Sequence, residues 1–69
     1  MTANQKADLE FYAAEARTHL FEGRLTQALG CYILGRDLAG LKVHDQTRRD
    51  YLARLHEESR AKMKASHKS

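Results

Sequence analysis

The sequence predicts an all-α protein: an antiparallel helical hairpin followed by a third helix, assembled as a homodimeric helical bundle. Proline is absent from the 69 residues, which are instead rich in strong helix formers. Apolar residues recur at helical spacing rather than in the alternation typical of strands. So short a chain buries little apolar surface, and one cysteine cannot form an internal disulfide. Self-association is the route to stability that remains.

The first helix is expected over about residues 3–22. Thr2 and Gln5 have the spacing of a capping box, in which each side chain binds a backbone amide at the start of the helix. Gly23 follows and can adopt the left-handed conformation that ends a helix. These signals set both ends of the first helix.

The second and third helices follow the same logic. The second is expected from residue 25 or 26 to residue 39, with Gly40 as its stop, and residues 41–44 form a linker. Asp45 or Thr47 caps a third helix that continues to about Met63. We therefore expect one helical domain over residues 1–63 and a flexible basic tail over residues 64–69.

The first two helices each carry two apolar stripes. On the first helix, one stripe consists of Leu9, Tyr12, Ala13, Ala16 and Leu20, and the other of Ala7, Phe11, Ala14, Thr18 and Phe21. On the second helix, Leu25, Ala28, Leu29, Tyr32 and Ala39 lie on one side, and Cys31, Leu34 and Leu38 on the other. A helix in a small monomer needs only one stripe. The surplus predicts a two-fold dimer, although a compact monomer with a central second helix remains an alternative that leaves Phe11 and Phe21 exposed.

The predicted dimer interface combines these surplus residues with a strip of small side chains. Gly35 lies beside Ala28, Cys31 and Ala39 on the second helix, where another helix can approach closely, or it is simply a tolerated glycine. The interface residues are Phe11, Phe21, Cys31, Leu34, Gly35 and Leu38.

The positive charge is concentrated in the C-terminal third of the chain. Residues 1–43 contain five basic and five acidic side chains, whereas residues 44–69 contain seven basic and four acidic ones. Arg48, Arg49, Tyr51 and Arg54 form the predicted partner-binding cluster, because arginine and tyrosine are enriched in interface hot spots. The same residues are also ordinary on a solvated helix. A nucleic-acid partner is the competing interpretation of this basic region, but Asp50 and nearby glutamates oppose it.

Catalytic and metal-binding patterns are missing from the sequence. The four glycines form no phosphate-binding loop, and the four histidines are not at zinc spacing. His56 begins an H-E-x-x-R sequence, in which Arg60 replaces the second histidine of a metalloprotease motif. We expect no enzymatic activity and no cofactor. No apolar run is long enough for a membrane span, and the lone cysteine fits a reducing cytoplasm.

Two resemblances point to protein binding. The stretch G-R-L-T-Q-A-L-G-C-Y, residues 23–32, resembles the middle of one tetratricopeptide repeat and the first hairpin of microtubule-interacting-and-trafficking domains. Both families bind peptides in grooves between helices, so the resemblance implies a peptide-binding adapter.

The chain as a whole is similar to the small early proteins with which bacteriophages disable host regulators, in particular the anti-quorum-sensing type of transposable Pseudomonas phages. The similarity lies in the length, the helical plan, the single cysteine and the general run of residues 8–40. It implies a helical dimer in the bacterial cytoplasm that inhibits a quorum-sensing transcription activator and the ATPase that drives pilus assembly. It assigns no role to any individual residue.

Overall fold

The computed structural model describes residues 1–67 and contains three helices in this part of the chain. These are α1 (Ala3–Phe21), α2 (Leu25–Leu38) and α3 (Asp45–His67). The all-α prediction is confirmed. α3 begins at Asp45 itself and continues beyond the predicted end at Met63, so the helix takes in most of the predicted tail. Lys68 and Ser69 lie outside the described residues.

Local capping explains the ends of α1. The Gln5 amide donates to Thr2 Oγ1 at 3.1 Å, and the Thr2 amide donates to Gln5 Oε1 at 2.8 Å. The predicted capping box is therefore present. At the other end, Gly23 has a φ of 79°, which glycine adopts without strain. The Arg24 amide then donates to the His19 carbonyl at 2.8 Å, and the chain reverses into α2.

The linker between α2 and α3 is held against α2. Gly40 has a φ of 74°, and the Leu41 amide donates to the Arg36 carbonyl at 2.8 Å. The Arg36 guanidinium donates twice to the Lys42 carbonyl, at 3.0 and 3.1 Å. Val43 is buried. The Leu41 bond satisfies a carbonyl at the end of α2, and the Arg36 bonds hold the linker so that α3 runs back along α2.

α2 is the central helix, with α1 and α3 on nearly opposite sides. Gly35 faces Tyr12 and Leu9 of α1, whereas Gly30 faces the ring of Tyr51 in α3. Within residues 1–67, α1 and α3 pack against α2 and not against each other. The shortest dimension of the molecule is 16 Å, which is less than two stacked helices would need at about 10–12 Å each. The three helices therefore form a single layer.

A single layer leaves a thin core. The core consists of four small or medium side chains, Ala28, Ile33, Ala39 and Val43, with the buried hydroxyl-bearing Thr26. No large side chain in the described part of the chain is fully buried. Each face of the layer consequently exposes apolar side chains that would be covered in an ordinary globular protein.

Candidate functional site

An apolar groove runs between α1 and α2 on one face of the layer. It encloses about 470 Å³. Its lining comes from the second half of α1, the first half of α2 and one residue of α3: Ala13, Ala16, Arg17, Leu20, Leu25, Ala28, Leu29, Tyr32 and Arg54. The three alanines keep the floor low, while leucine and tyrosine side chains form the walls. Among the hollows of the described residues, this groove has walls from more than one helix, whereas a larger hollow of about 670 Å³ lies along the C-terminal half of α3 alone.

Arginines stand on both rims of the groove. Arg17 belongs to α1 and Arg54 to α3, on the far side of α2. The ion pairs of Arg24 with Glu22 and of Arg48 with Asp37 involve neither rim arginine, and within residues 1–67 neither of the two is paired with a carboxylate. The groove is therefore bordered by unpaired positive charge.

One further arginine and two carboxylates lie close to the groove. The Arg36 guanidinium lies 5.6 Å from the ring centre of Tyr32 in a cation–π arrangement. Asp50 and Glu57 adjoin Arg54 in a neighbouring hollow outside the groove. Asp50 Oδ1 accepts a hydrogen bond of 2.9 Å from Nε2 of the Gln46 side chain. None of the residues that line the groove is acidic.

The opposite side of the layer is an apolar surface to which all three helices contribute. Successive residues of a helix are rotated by about 100°, so Leu34 and Leu38 point away from Leu25, Leu29 and Tyr32. The same rotation places Leu52 on the side of α3 away from Arg54, whereas Leu55 lies close to the Tyr51 side that faces α2. We call this surface the back face; it consists of Phe11, Cys31, Leu34, Leu38 and Leu52.

The back face is well exposed in the single chain. Leu34, Leu38 and Leu52 have 43%, 45% and 56% of their surface accessible, and Phe11 has 58%. The Phe11 ring packs edge-on against Tyr12, with ring centres 5.1 Å apart. Phe21 is 94% exposed at the end of α1. These exposures leave large apolar side chains in water unless something covers them.

Most residues of the predicted dimer interface lie on this surface. Phe11, Cys31, Leu34 and Leu38 share the back face, whereas Phe21 follows Arg17 by one helical turn and lies nearer the groove rim at the end of α1. Gly35 is different, because it is buried inside the hairpin, where an added Cβ would lie 2.8 Å from Tyr12 Cβ. The strip of small residues thus lets α1 approach α2 within one chain, and Gly35 is not part of the open surface.

The predicted partner-binding cluster is divided among three environments. Arg54 borders the groove. Arg48 pairs with Asp37 across the α2–α3 contact, in a two-pronged arrangement with one bond of 3.0 Å. The Tyr51 ring lies over Gly30, and Arg49 is exposed. The structure therefore brings only Arg54 of these four residues to the groove.

Two parts of the structure shift proton affinities. The hydrogen bond from Arg48 lowers the pKa of Asp37, and the same bond raises the pKa of Arg48. Burial raises the pKa of the Cys31 thiol, and the Glu15 carboxylate raises it further. Cys31 consequently stays protonated at neutral pH, as expected for a packing residue rather than a nucleophile.

Several residues of the groove are not among the site residues that the sequence predicts. The stripes that contain Leu20, Leu25 and Tyr32 were recognised, but not that they meet across the hairpin. Arg17 gave no signal, because a single arginine on a helix is ordinary. Both stripes lie next to the turn at Gly23, and an antiparallel hairpin brings residues on either side of its turn together. This pattern is the one sequence feature that indicates the groove.

Comparisons with known proteins give this chain no family. No family model, no curated protein and no solved structure matches it. Among the described residues, no group of three or more histidine, cysteine or carboxylate side chains is placed to hold a metal ion. No helix in that same part of the chain is long and apolar enough to cross a membrane.

Proposed function

We propose that this chain is a small non-enzymatic protein that binds another protein through the groove, inhibits it, and pairs with a second copy through the back face. The observation that carries the proposal is the single helical layer, which exposes apolar surface on both sides. A groove and a broad, flatter surface suit two different occupants. The groove fits a segment of a partner, and the back face fits an identical surface.

The area of the chain supports the pairing with a second copy. The single chain exposes 5598 Å², whereas a compact monomer of this mass exposes about 4,400 Å². The excess of about 1,200 Å² exceeds the roughly 800 Å² per partner that a standard interface buries. Burying about 800 Å² per partner against a second copy would remove about two thirds of this excess.

The groove supports the inhibitory role through its rigidity. Its walls belong to a hairpin in which α1 is capped by Thr2 and Gln5 and packs closely against α2 at Gly35. A groove that is already formed loses little conformational entropy on binding. A bound segment of a regulator would be held away from its own partners, and this competition is the proposed mechanism of inhibition.

The proposed target is a regulator in the cytoplasm of a bacterial host, as the resemblance to phage early proteins implies. A quorum-sensing transcription activator and the pilus-assembly ATPase are the two candidates that this resemblance names. The groove also fits a more general peptide-binding adapter, which would share the binding step without the inhibition.

Nucleic-acid binding by α3 is the second candidate. The helix has 23 residues against 14 in α2, and residues 52–64 are all exposed. Its C-terminal half therefore offers Arg60 and Lys64 on a basic, accessible surface. Glu57 and Glu58 lie on the same helix, and their negative charge opposes the binding of phosphates. We therefore favour protein binding by the groove over nucleic-acid binding by α3.

The test is a capture experiment with matched variants. Tagged wild-type protein, Ala13→Glu and Ala14→Glu are incubated with nuclease-treated bacterial lysate at moderate salt. Ala13 lines the groove, whereas the adjacent Ala14 is exposed on another side of α1. We expect a stoichiometric protein on the wild type and on Ala14→Glu, and its loss on Ala13→Glu.

Purified captured protein must then lose its own activity when the wild-type chain is added. Binding without loss of activity would identify an adapter instead of an inhibitor. Capture that occurs only from a parallel lysate without nuclease treatment would assign the function to the basic part of α3.

A further inference from the structure

We infer that the groove binds an amphipathic α-helical segment of the partner, with an apolar stripe on one side and carboxylates along both edges of that stripe. The inference rests on the proposed function and specifies the chemistry of the partner. It follows from the shape of the groove, from its composition and from the charge on its rims.

The shape of the groove fits a helix. The lining residues on α1 extend from Ala13 to Leu20, and those on α2 from Leu25 to Tyr32. Each span rises about 10 Å, or two helical turns. Two turns of an incoming helix present apolar anchors at positions i, i+3 or i+4 and i+7, a spacing that matches this length.

The floor of the groove allows that helix to approach closely. Ala13, Ala16 and Ala28 contribute only methyl groups between the larger walls. Small residues at a helix–helix contact shorten the distance between the axes. Leucine or phenylalanine side chains of the occupant would fill the space above the alanines, between Leu20 and Leu29.

The rims determine the charge of the occupant. Arg17 and Arg54 border the groove from opposite sides, and neither belongs to an ion pair within the described residues. Arginine binds carboxylates through two parallel hydrogen bonds. A helix lying between them would place an acidic residue toward each rim, while lysine at those positions would be repelled.

The back face favours a separate protein over a second copy in the groove. Residues from α1, α2 and α3 already form a broad apolar surface on the other side, where two copies can pair symmetrically. α1 itself carries three carboxylates and two exposed phenylalanines, although Lys6 and Arg17 nearly balance its charge, so a second copy is the competing occupant. The experiment must therefore distinguish these two occupants.

The direct test uses a designed peptide as the probe. A fluorescent helical peptide of about 16 residues carries leucines at i, i+3 and i+7 and glutamates on both flanks. A matched peptide has lysine at every glutamate position. We expect anisotropy titrations at physiological salt to show binding about ten-fold tighter for the glutamate peptide than for the lysine peptide. Equal affinities, or no binding of the glutamate peptide, would overturn the inference.

Variants locate the peptide on the protein. Arg17→Glu with Arg54→Glu reverses both rims, and Arg49→Glu makes the same change at an exposed position outside the groove. The double variant is expected to bind the glutamate peptide about ten-fold more weakly and to gain affinity for the lysine peptide. Arg49→Glu is expected to behave as the wild type. Equal effects of the double variant and Arg49→Glu would refute this location.

The remaining outcomes separate this inference from the proposed function. If the glutamate peptide converts dimers to monomers, the groove is the self-association site and the inference is wrong. If the peptide fails to bind but lysate capture still depends on Ala13, the proposed function stands and only the acidic-helix occupant is rejected. If capture also fails, the proposed function is rejected as well.

Discussion

The two glycines inside α2 have different neighbours, and this difference predicts different responses to substitution. A Cβ at Gly35 would lie 2.8 Å from Tyr12 Cβ, an atom fixed to the backbone of α1. Gly35→Ala gains about 1 kcal/mol of helix propensity but forces the hairpin apart. We expect it to lower the free energy of unfolding by about 1–3 kcal/mol, measured by urea denaturation followed by circular dichroism.

Gly30→Ala is the matched control. Its new Cβ would lie 3.0 Å from atoms at the end of the Tyr51 ring, which can rotate away. The propensity gain then offsets most of the steric cost, so stability should change by less than about 1 kcal/mol. Equal losses for both variants would contradict this difference between the fixed Tyr12 Cβ and the movable Tyr51 ring.

Cys31 reports on the environment of the back face. Burial and the Glu15 carboxylate both raise the pKa of its thiol, so the reactive thiolate is scarce at neutral pH. We expect slow alkylation by iodoacetamide at pH 7, and faster alkylation for Glu15→Gln, because the pKa falls when the carboxylate is removed. Rates measured against pH test this directly. A profile unchanged by Glu15→Gln would contradict the placement of Glu15 beside Cys31.

At the scale of elements, one ion pair helps to hold α3 against α2. The hydrogen bond from Arg48 lowers the pKa of Asp37. The same bond, together with the nearby negative charge of Asp45, raises the pKa of Arg48. A carboxyl whose pKa is lower in the folded state stabilises that state above its unfolded pKa, about 3.9. The stabilisation is lost as the pH falls through the folded value.

The α2–α3 contact should therefore loosen on acidification. We expect the NMR signals of Tyr51 to shift toward free values below about pH 4, and Asp37→Asn to abolish this pH-dependent step. Asp50→Asn is the control, since Asp50 lies on α3 but outside the pair with Arg48. An acid transition that persists in Asp37→Asn would exclude the ion pair as its cause.

The same elements show what one sequence could and could not predict. The ends of α1 were accurate because the capping box and Gly23 act within a few residues. The contact of Arg48 with Asp37 joins residues eleven positions apart across a linker, and helical periodicity contains no such information. Gly35 was ambiguous because a small residue serves a contact within a chain and a contact between chains equally well.

At the scale of the molecule, the extended shape favours a partner that covers the back face. The radius of gyration is 14.4 Å, against about 11 Å for a compact domain of this length. Such an extended layer has too little core to be strongly stable alone. If two copies share their back faces, folding and association are coupled, and the melting temperature depends on concentration.

Two variants on α2 test this coupling. Leu34→Asp places a carboxylate on the back face, and Tyr32→Asp makes a comparable change two residues away on the groove side. We expect the wild type and Tyr32→Asp to sediment at twice the chain mass of 7.9 kDa and to melt at higher temperature as concentration rises. Leu34→Asp is expected to sediment as a monomer whose melting temperature is independent of concentration, because burying an unpaired carboxylate opposes association. Dissociation caused by Tyr32→Asp alone would instead place the pairing surface on the groove side, and a concentration-independent wild type would remove the dimer altogether.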